Sequence, residues 1–298
     1  MQRSHAQMAW DTTLTEDLQA LLDLALLEDL RGQHDLTTNA LVPPHAQGRA
    51  HVVARVDGVV AGIKVGQLLA GRMHGATSWQ AKVEDGVQVQ AGDQVAVWEG
   101  AARTMLTGER TLLNVLGHLS GIASQTHRFA DAVRGTGAQI CDTRKTLPGW
   151  RRLQKYAVQC GGGCNHRMGL FDAVLIKDNH LCFRSQAAAI DLAAVLAEVK
   201  GTVGTEPIIE VEVDTLDQLR QVLPAEPDIV LLDNMNLEQL RQAVTLRGEI
   251  APHVALEASG GVQLETVQAI AATGVERISV GALTHSVTAM DLALDWDG

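Results

Sequence analysis

The chain changes its hydrophobic rhythm three times, and each change predicts a different kind of structure. Thr13 and Glu16 fit a capping box, after which Leu18, Leu21, Leu22, Ala25 and Leu26 share one helical face. Asp29 to Pro44 reads as a long loop carrying Asp35, Leu36, Thr37 and Thr38. From Arg49 the period falls to two. Val52, Val53, Val56, Val59, Val60 and Ile63, then Val83, Val87, Val89, Val95 and Val97, predict short strands with turns at Gly58, Gly86 and Gly92. This part reads as a small antiparallel sheet with a helix. Helical spacing returns over Glu109–Leu119, with Leu112, Leu113, Leu116 and Leu119 on one stripe.

Beyond that helix the rhythm becomes strand, loop, helix, repeated. The strand candidates are Gln139–Asp142, Ala173–Ile176, Pro207–Val213, Asp228–Leu232, Val254–Glu257 and Arg277–Val280. Helices between them are legible at Leu192, Val195, Leu196 and Val199, at Leu216, Leu219 and Val222, and at Leu264, Val267 and Ile270. Continuous apolar strands alternating with helices imply a parallel sheet covered on both faces, and this number of strands suggests an α/β barrel, closed or incomplete. The chain then divides into an N-terminal domain, 1–122, and a barrel, 123–285. The last segment, 286–298, reads through Val287 to Trp296 as an amphipathic helix that packs back on the first domain.

Length and charge narrow the function. A chain of 298 residues has room for a full core without disulfide staples, and a net charge of −11 argues against nucleic-acid binding. Cys141, Cys160, Cys164 and Cys182 are too irregularly spaced for a disulfide framework, which points to a reducing cytoplasm. No stretch approaches the roughly 20 apolar residues of a membrane span.

Every strand candidate ends in polar residues, and an α/β barrel gathers its strand ends at one rim. That rim would hold the cations Arg144, Lys145, Arg151, Arg152, His166, Arg167 and Lys177. Guanidinium forks match carboxylate and phosphate oxygens two at a time, so a polyanionic ligand is expected. The rim carboxylates Glu212, Asp214, Asp233 and Glu257 suit Mg²⁺ held against phosphate, support for a cationic sugar carbon, or an internal salt-bridge network. Ser259, Gly260, Gly261 and Gly281 follow the last two strands, where barrels often cradle phosphate on backbone N–H groups. Cys160, Cys164 and His166 do not have the spacing of a zinc site. Two rival readings are an aldolase using Lys177 as an imine and a carrier hairpin over Val83–Val97, which lacks a lysine in a tight turn.

Longer motifs carry a family resemblance. Glu109-Arg110-Thr111, Asp142-Thr143-Arg144-Lys145-Thr146, Lys155-Tyr156-Ala157-Val158 and the run Gly161-Gly162-Gly163-Cys164-Asn165-His166-Arg167 stand in order. Lys177-Asp178-Asn179-His180, Glu210 to Asp214, Leu232-Asp233-Asn234-Met235, Glu257 to Gly261 and Ile278 to Ser286 complete the series. From about Leu18 onward the chain resembles the quinolinate phosphoribosyltransferases, with Cys164 a departure inside the glycine run. The resemblance implies a type II phosphoribosyltransferase fold: an N-terminal open α/β sandwich and a six- or seven-stranded α/β barrel. It implies quinolinate bound by Arg144, His166, Arg167 and Lys177, with Arg110 lent by the neighbouring subunit of a homodimer; assembly beyond the dimer stays open. It also implies phosphoribosyl pyrophosphate (PRPP) and Mg²⁺ served by Lys145, Glu212 and Asp233, with phosphate held at Ser259, Gly260 and Gly281. Arg151 joins the binding set from its place among the rim cations.

Overall fold

A computed structural model describes residues 4–184, 191–204 and 206–297. Residues 1–3 and 298, the outer ends of the expected N-terminal domain and C-terminal helix, lie outside the described residues. In chain order the strands are β1 (Gln47–Ala54), β2 (Gly58–Val59), β3 (Thr77–Ala81), β4 (Gln88–Val89) and β5 (Gln94–Ala101). They continue with β6 (Gln139–Cys141), β7 (Ala173–Ile176), β8 (Ile208–Val213), β9 (Ile229–Asp233), β10 (Ala255–Ser259), β11 (Arg277–Ser279) and β12 (Leu292–Trp296). The chain divides into two bodies.

The first body comprises Met8–His127, Thr146–Gly162 and Ala282–Gly298. Its sheet is ordered β12-β1-β5-β3, and β12, β5 and β3 all pair antiparallel within it. The C-terminal segment expected as a helix is therefore strand β12, joined to β1 from Ala50↔Trp296 to Ala54↔Leu292. Its Leu-Ala-Leu alternation buries Leu292 and Leu294, and an open sheet edge settles a pattern too short to choose its own period. The first helix, Thr12–Leu30, is capped by Asp11, which accepts from the Leu14 N–H at 2.6 Å, and not by Thr13. The expected loop after Asp29 contains a short helix, Leu36–Leu41, capped by Asp35 through the Thr38 N–H at 2.9 Å.

Helix Ala102–Ala132 is far longer than its leucine stripe. The small residues after Leu119 mark close approach, not an end. A Cβ on Gly121 would lie 2.3 Å from the Thr288 carbonyl oxygen, and one on Gly117 would lie 2.9 Å from that of Met290. Gly58 likewise sits in β2 and not in a turn; its missing Cβ leaves room for Ser124 and Met290. Gly86 and Gly92 do turn the chain, with φ of 86° and 96°.

The second body comprises Met1–Gln7, Arg128–Lys145 and Gly163–Gly281. It holds one parallel sheet ordered β6-β11-β10-β9-β8-β7. Cys164 adds a single parallel bridge beside Cys141, so among the described residues six strands and one bridged residue make up the barrel sheet. Because side chains alternate across a strand, three tiers appear on one face. The lowest is apolar: Ala173, Ile208, Ile229 and Ala255 form a buried cluster. Two residues further on stand Leu175, Glu210, Leu231, Glu257 and, in register with Glu257, Arg277. Two further still, at the carboxyl ends, come Lys177, Glu212, Asp233, Ser259 and Ser279. The fold thus sets an apolar floor, a buried ionic middle and a polar rim.

Candidate active site

The middle tier is organised around His166. The preceding loop is held by buried Asp142, whose carboxylate accepts from the His166 N–H at 2.8 Å and the Asn165 side-chain amide at 2.7 Å. The His166 Nε2 lies 2.8 Å from Glu210 Oε2 and 3.4 Å from Glu257 Oε1. Its pKa is pushed up to about 9: burial opposes the charge, but Glu210 and Glu257 outweigh burial. The Arg167 N–H opposes a second ring proton, because it donates to Nδ1 at 2.8 Å. The hydrogen-bond geometry decides between these, and places the ring proton on Nε2, facing Glu210.

Glu257 is the anchor of this tier. It accepts from Arg277 Nε at 2.6 Å and from the Ser279 hydroxyl. Its carboxyl is lowered, because the His166 Nε2–H, the Arg277 guanidinium and the Ser279 hydroxyl together overcome the cost of burial. A carboxyl depressed from 4.5 contributes stability above its unfolded pKa and loses it as pH falls toward the folded value. Urea unfolding should therefore show Glu257's contribution intact at neutral pH and draining away below about pH 4.5. Equal stability at neutral pH and near pH 3 would contradict this assignment.

The rim presents its cations to a cavity. Arg144, Arg167, Lys177 and His180 line a space of about 600 Å³ together with apolar residues of β7 and the following helix. The Arg167 pKa is lowered, first by burial and then by the nearby Arg144 charge. Two guanidinium groups that repel each other in a shared cavity are poised for an anion. Lys177 Nζ forms an ion pair with Glu212, whose side chain is only 10% exposed. This ties the ammonium to a carboxylate, which disfavours the imine reading of Lys177.

In the same body, the ends of β9 and β10 build a second feature. Ser259 and Asp233 are register partners, and the Asn234 N–H donates to the Ser259 carbonyl at 2.9 Å. Gly260 adopts φ +101°, and a Cβ there would fall 2.2 Å from Asn234 Oδ1. Only glycine fits this crease, as a backbone loop that approaches a phosphate requires. Gly281 follows β11 directly after Val280. Lys145 is exposed next to Arg144, and its N–H donates to the Thr143 hydroxyl at 3.0 Å.

Not every expected rim residue belongs to this body. Arg110 is exposed on helix Ala102–Ala132, and Arg151 starts helix Arg151–Cys160, donating from Nε to the Thr146 hydroxyl at 3.1 Å; both are in the first body. Arg152, expected at the rim, pairs instead with Asp11 at 3.2 Å and Asp17 at 3.0 Å within that first body. Adjacent helix positions point apart, and Arg152 faces helix Thr12–Leu30. Glu257, expected among the rim carboxylates, lies one tier below and belongs to the internal ionic network.

The sequence missed Arg277 and His5 as parts of the site, and gave Glu210 no role beyond the polar end of its strand, although in Ile209-Glu210-Val211 an acid interrupts an apolar strand. His5 is buried and stacks on His166 at 4.6 Å between ring centroids. Gln7 holds the segment in place, accepting from the Asn165 N–H at 2.7 Å and donating to the Asn165 carbonyl at 3.3 Å. His5, His166 and Glu210 bring ligand-type atoms within 4.8 Å of one another. Arg277 and Arg167 press positive charge on the same cluster, which suits proton sharing better than a divalent ion.

A parallel barrel sheet with clustered cations, rim carboxylates and a glycine crease defines an α/β-barrel enzyme whose site is organised around anions. The chain belongs to the quinolinate phosphoribosyltransferase family: the model "Quinolinate phosphoribosyl transferase, N-terminal domain" matches residues 35–120 and the corresponding C-terminal domain matches residues 122–295. It is 48% identical over 273 residues to the nicotinate-nucleotide pyrophosphorylase [carboxylating] of Mycobacterium leprae, covering 91% of this chain and 94% of that protein. It is 39% identical to a mitochondrial quinolinate phosphoribosyltransferase [decarboxylating] of Nicotiana glauca, covering 95% of this chain and 83% of that one. The nicotinate-nucleotide pyrophosphorylase structure from Francisella tularensis superposes with a TM-score of 0.90 at 34% identity, over 99% of this chain and all of that one.

Proposed function

We propose that this protein transfers the phosphoribosyl group of PRPP to the ring nitrogen of quinolinate, forming nicotinate mononucleotide, pyrophosphate and carbon dioxide in NAD biosynthesis. The observation that carries this reading is the pair of mutually repelling guanidinium groups, Arg144 and Arg167, in one cavity with Lys177. A dicarboxylate relieves that repulsion, and the activities named for the relatives supply the matching diacid.

The chain's own groups account for the chemistry by positioning and electrostatics. Arg144, Arg167 and Lys177 hold the two carboxylates, with His166 donating from Nε2 or rotating toward the diacid. The Ser259–Gly260 crease, Gly281 and Lys145 receive the phosphates. With both substrates held, the ring nitrogen bonds to C1 of the ribose as the bond to pyrophosphate breaks. The nitrogen becomes cationic, so the adjacent carboxylate leaves as carbon dioxide; the electron pair left on that ring carbon is steadied by the neighbouring cationic nitrogen and takes up a proton from solvent. Glu212 and Asp233 offer hard carboxylate oxygens at the ends of neighbouring strands, a donor set that suits Mg²⁺, which would neutralise pyrophosphate charge. Arg110 serves the site of a sister subunit in a homodimer. Within the described residues no helix is long and apolar enough to cross a membrane; a cytoplasmic location completes the proposal.

Carbon dioxide release from quinolinate, PRPP and Mg²⁺, with nicotinate as control, tests the reaction. Turnover of the diacid but not of nicotinate is expected; turnover of neither, or of both alike, would refute it. For the shared site, Arg110→Ala subunits mixed with Lys177→Ala subunits should regain activity that neither homodimer has. Silence of the mixture rules out sharing.

A further inference from the structure

Cys164 is the thiol within the glycine–asparagine–histidine run, the reaction leaves it unused, and it has a thiol neighbour. Cys141, the last residue of β6, and Cys164 are partners in a parallel bridge. The Cys164 N–H donates to the Ile140 carbonyl at 2.7 Å, and the Asp142 N–H donates to the Cys164 carbonyl at 3.0 Å. This locks the two residues side by side with their side chains on the same face. Neighbouring strands run about 4.8 Å apart, inside the Cα separation of about 4.4–6.8 Å that a disulfide spans. Both cysteines are free thiols; Cys141 is buried and Cys164 is half-buried, so an oxidant meets Cys164 first.

A third group sits with them. The buried guanidinium of Arg277 binds Glu257 through Nε, and among the described residues its Nη2 has no hydrogen-bond partner. Its charge acts on both sulfurs. The Cys141 thiol donates to the Gln139 carbonyl at 3.7 Å, and burial pushes its pKa well up; the Cys164 pKa is drawn down by its neighbour Cys141 against the cost of burial. The two therefore divide the labour of a redox pair: a nucleophile at the opening and a resolving thiol behind it.

We propose that Cys141 and Cys164 form a reversible disulfide under peroxide that switches the quinolinate site off. The Cys164 thiolate attacks hydrogen peroxide, giving a sulfenic acid and hydroxide. The Cys141 sulfur then displaces the sulfenic oxygen; that oxygen and the Cys141 proton leave as water. Overall two thiols and one peroxide give one disulfide and two waters. The bond is reversed by a thiol reductant, which attacks it at the half-buried Cys164 sulfur. Its effect reaches the substrate within two residues on each strand. Asp142 follows Cys141 and carries the His166 N–H and the Asn165 amide; Asn165 and His166 follow Cys164. Drawing the sulfurs together shifts both anchors of His166.

The test treats the full-length enzyme with hydrogen peroxide, then measures quinolinate turnover and maps blocked peptides by mass spectrometry. Expected are a Cys141–Cys164 cross-linked peptide and a fall in kcat/KM for quinolinate of at least about tenfold, since displacement near 1 Å at a binding group costs up to about 10²-fold. Dithiothreitol restores both. Cys164→Ser and, separately, Cys141→Ala each keep their activity under the same peroxide. The activity arm rests on the reaction proposed above; the peptide map does not, so a cross-link without quinolinate turnover would indict that reaction alone. Oxidation confined to Cys160 or Cys182, or equal inactivation of Cys164→Ser, overturns the switch.

Discussion

Arg144→Ala lowers kcat/KM for quinolinate by about 10²-fold, the equivalent of about 3 kcal/mol from one lost fork of charge-assisted hydrogen bonds. The loss falls on the diacid because Arg144 lines the cavity with Arg167 and Lys177, apart from the Ser259–Gly260 crease. KM for PRPP should move much less. Arg144→Lys keeps the charge and loses the fork, so it recovers only part of the rate. Thermal stability should hold, since removing one of two repelling guanidinium groups relieves Arg167. Steady-state kinetics with both substrates decides the matter; wild-type kcat/KM for quinolinate in the alanine variant would remove the clamp from the account.

Glu257→Gln destabilises the folded protein by about 3–5 kcal/mol, because it strands a buried guanidinium. Glu257 has no exposed surface, and Arg277 is 5% exposed. The amide can still accept from Ser279, yet it no longer balances the Arg277 charge. Combining Glu257→Gln with Arg277→Met removes the stranded charge and should restore more than half of the loss, a coupling visible in a double-mutant cycle. Urea titration of the four proteins measures it. A single mutant as stable as wild type, or two effects that simply add, would show that the pair is not the anchor of the middle tier.

The order of strands was written plainly in the sequence. Ala173–Ile176 matches its strand end to end, and the other five barrel strands match within two residues, because continuous β-branched and leucine runs leave little choice. The rim was legible for the same reason: polar residues that close such runs land at carboxyl ends. What the sequence concealed depends on partners far along the chain. Leu292–Trp296 became a strand because β1 offered an edge. The helix from Ala102 runs on past Leu119 because Gly117 and Gly121 admit the backbone near Thr288 and Met290. Arg152 left the rim because Asp11 and Asp17 were within reach. Glu257 looked like a rim carboxylate until register placed it beside Arg277, and His5 gave no local sign that it stacks on His166.

The cluster of cations on the barrel rim is built for two carboxylates on one ring. Calorimetric titration of the wild-type enzyme with quinolinate and with nicotinate tests it most directly. The account predicts that the diacid binds more tightly by at least about tenfold, the value of one further charge-assisted hydrogen bond, and that Arg144→Ala abolishes most of the difference. Equal affinity for the two acids would contradict it.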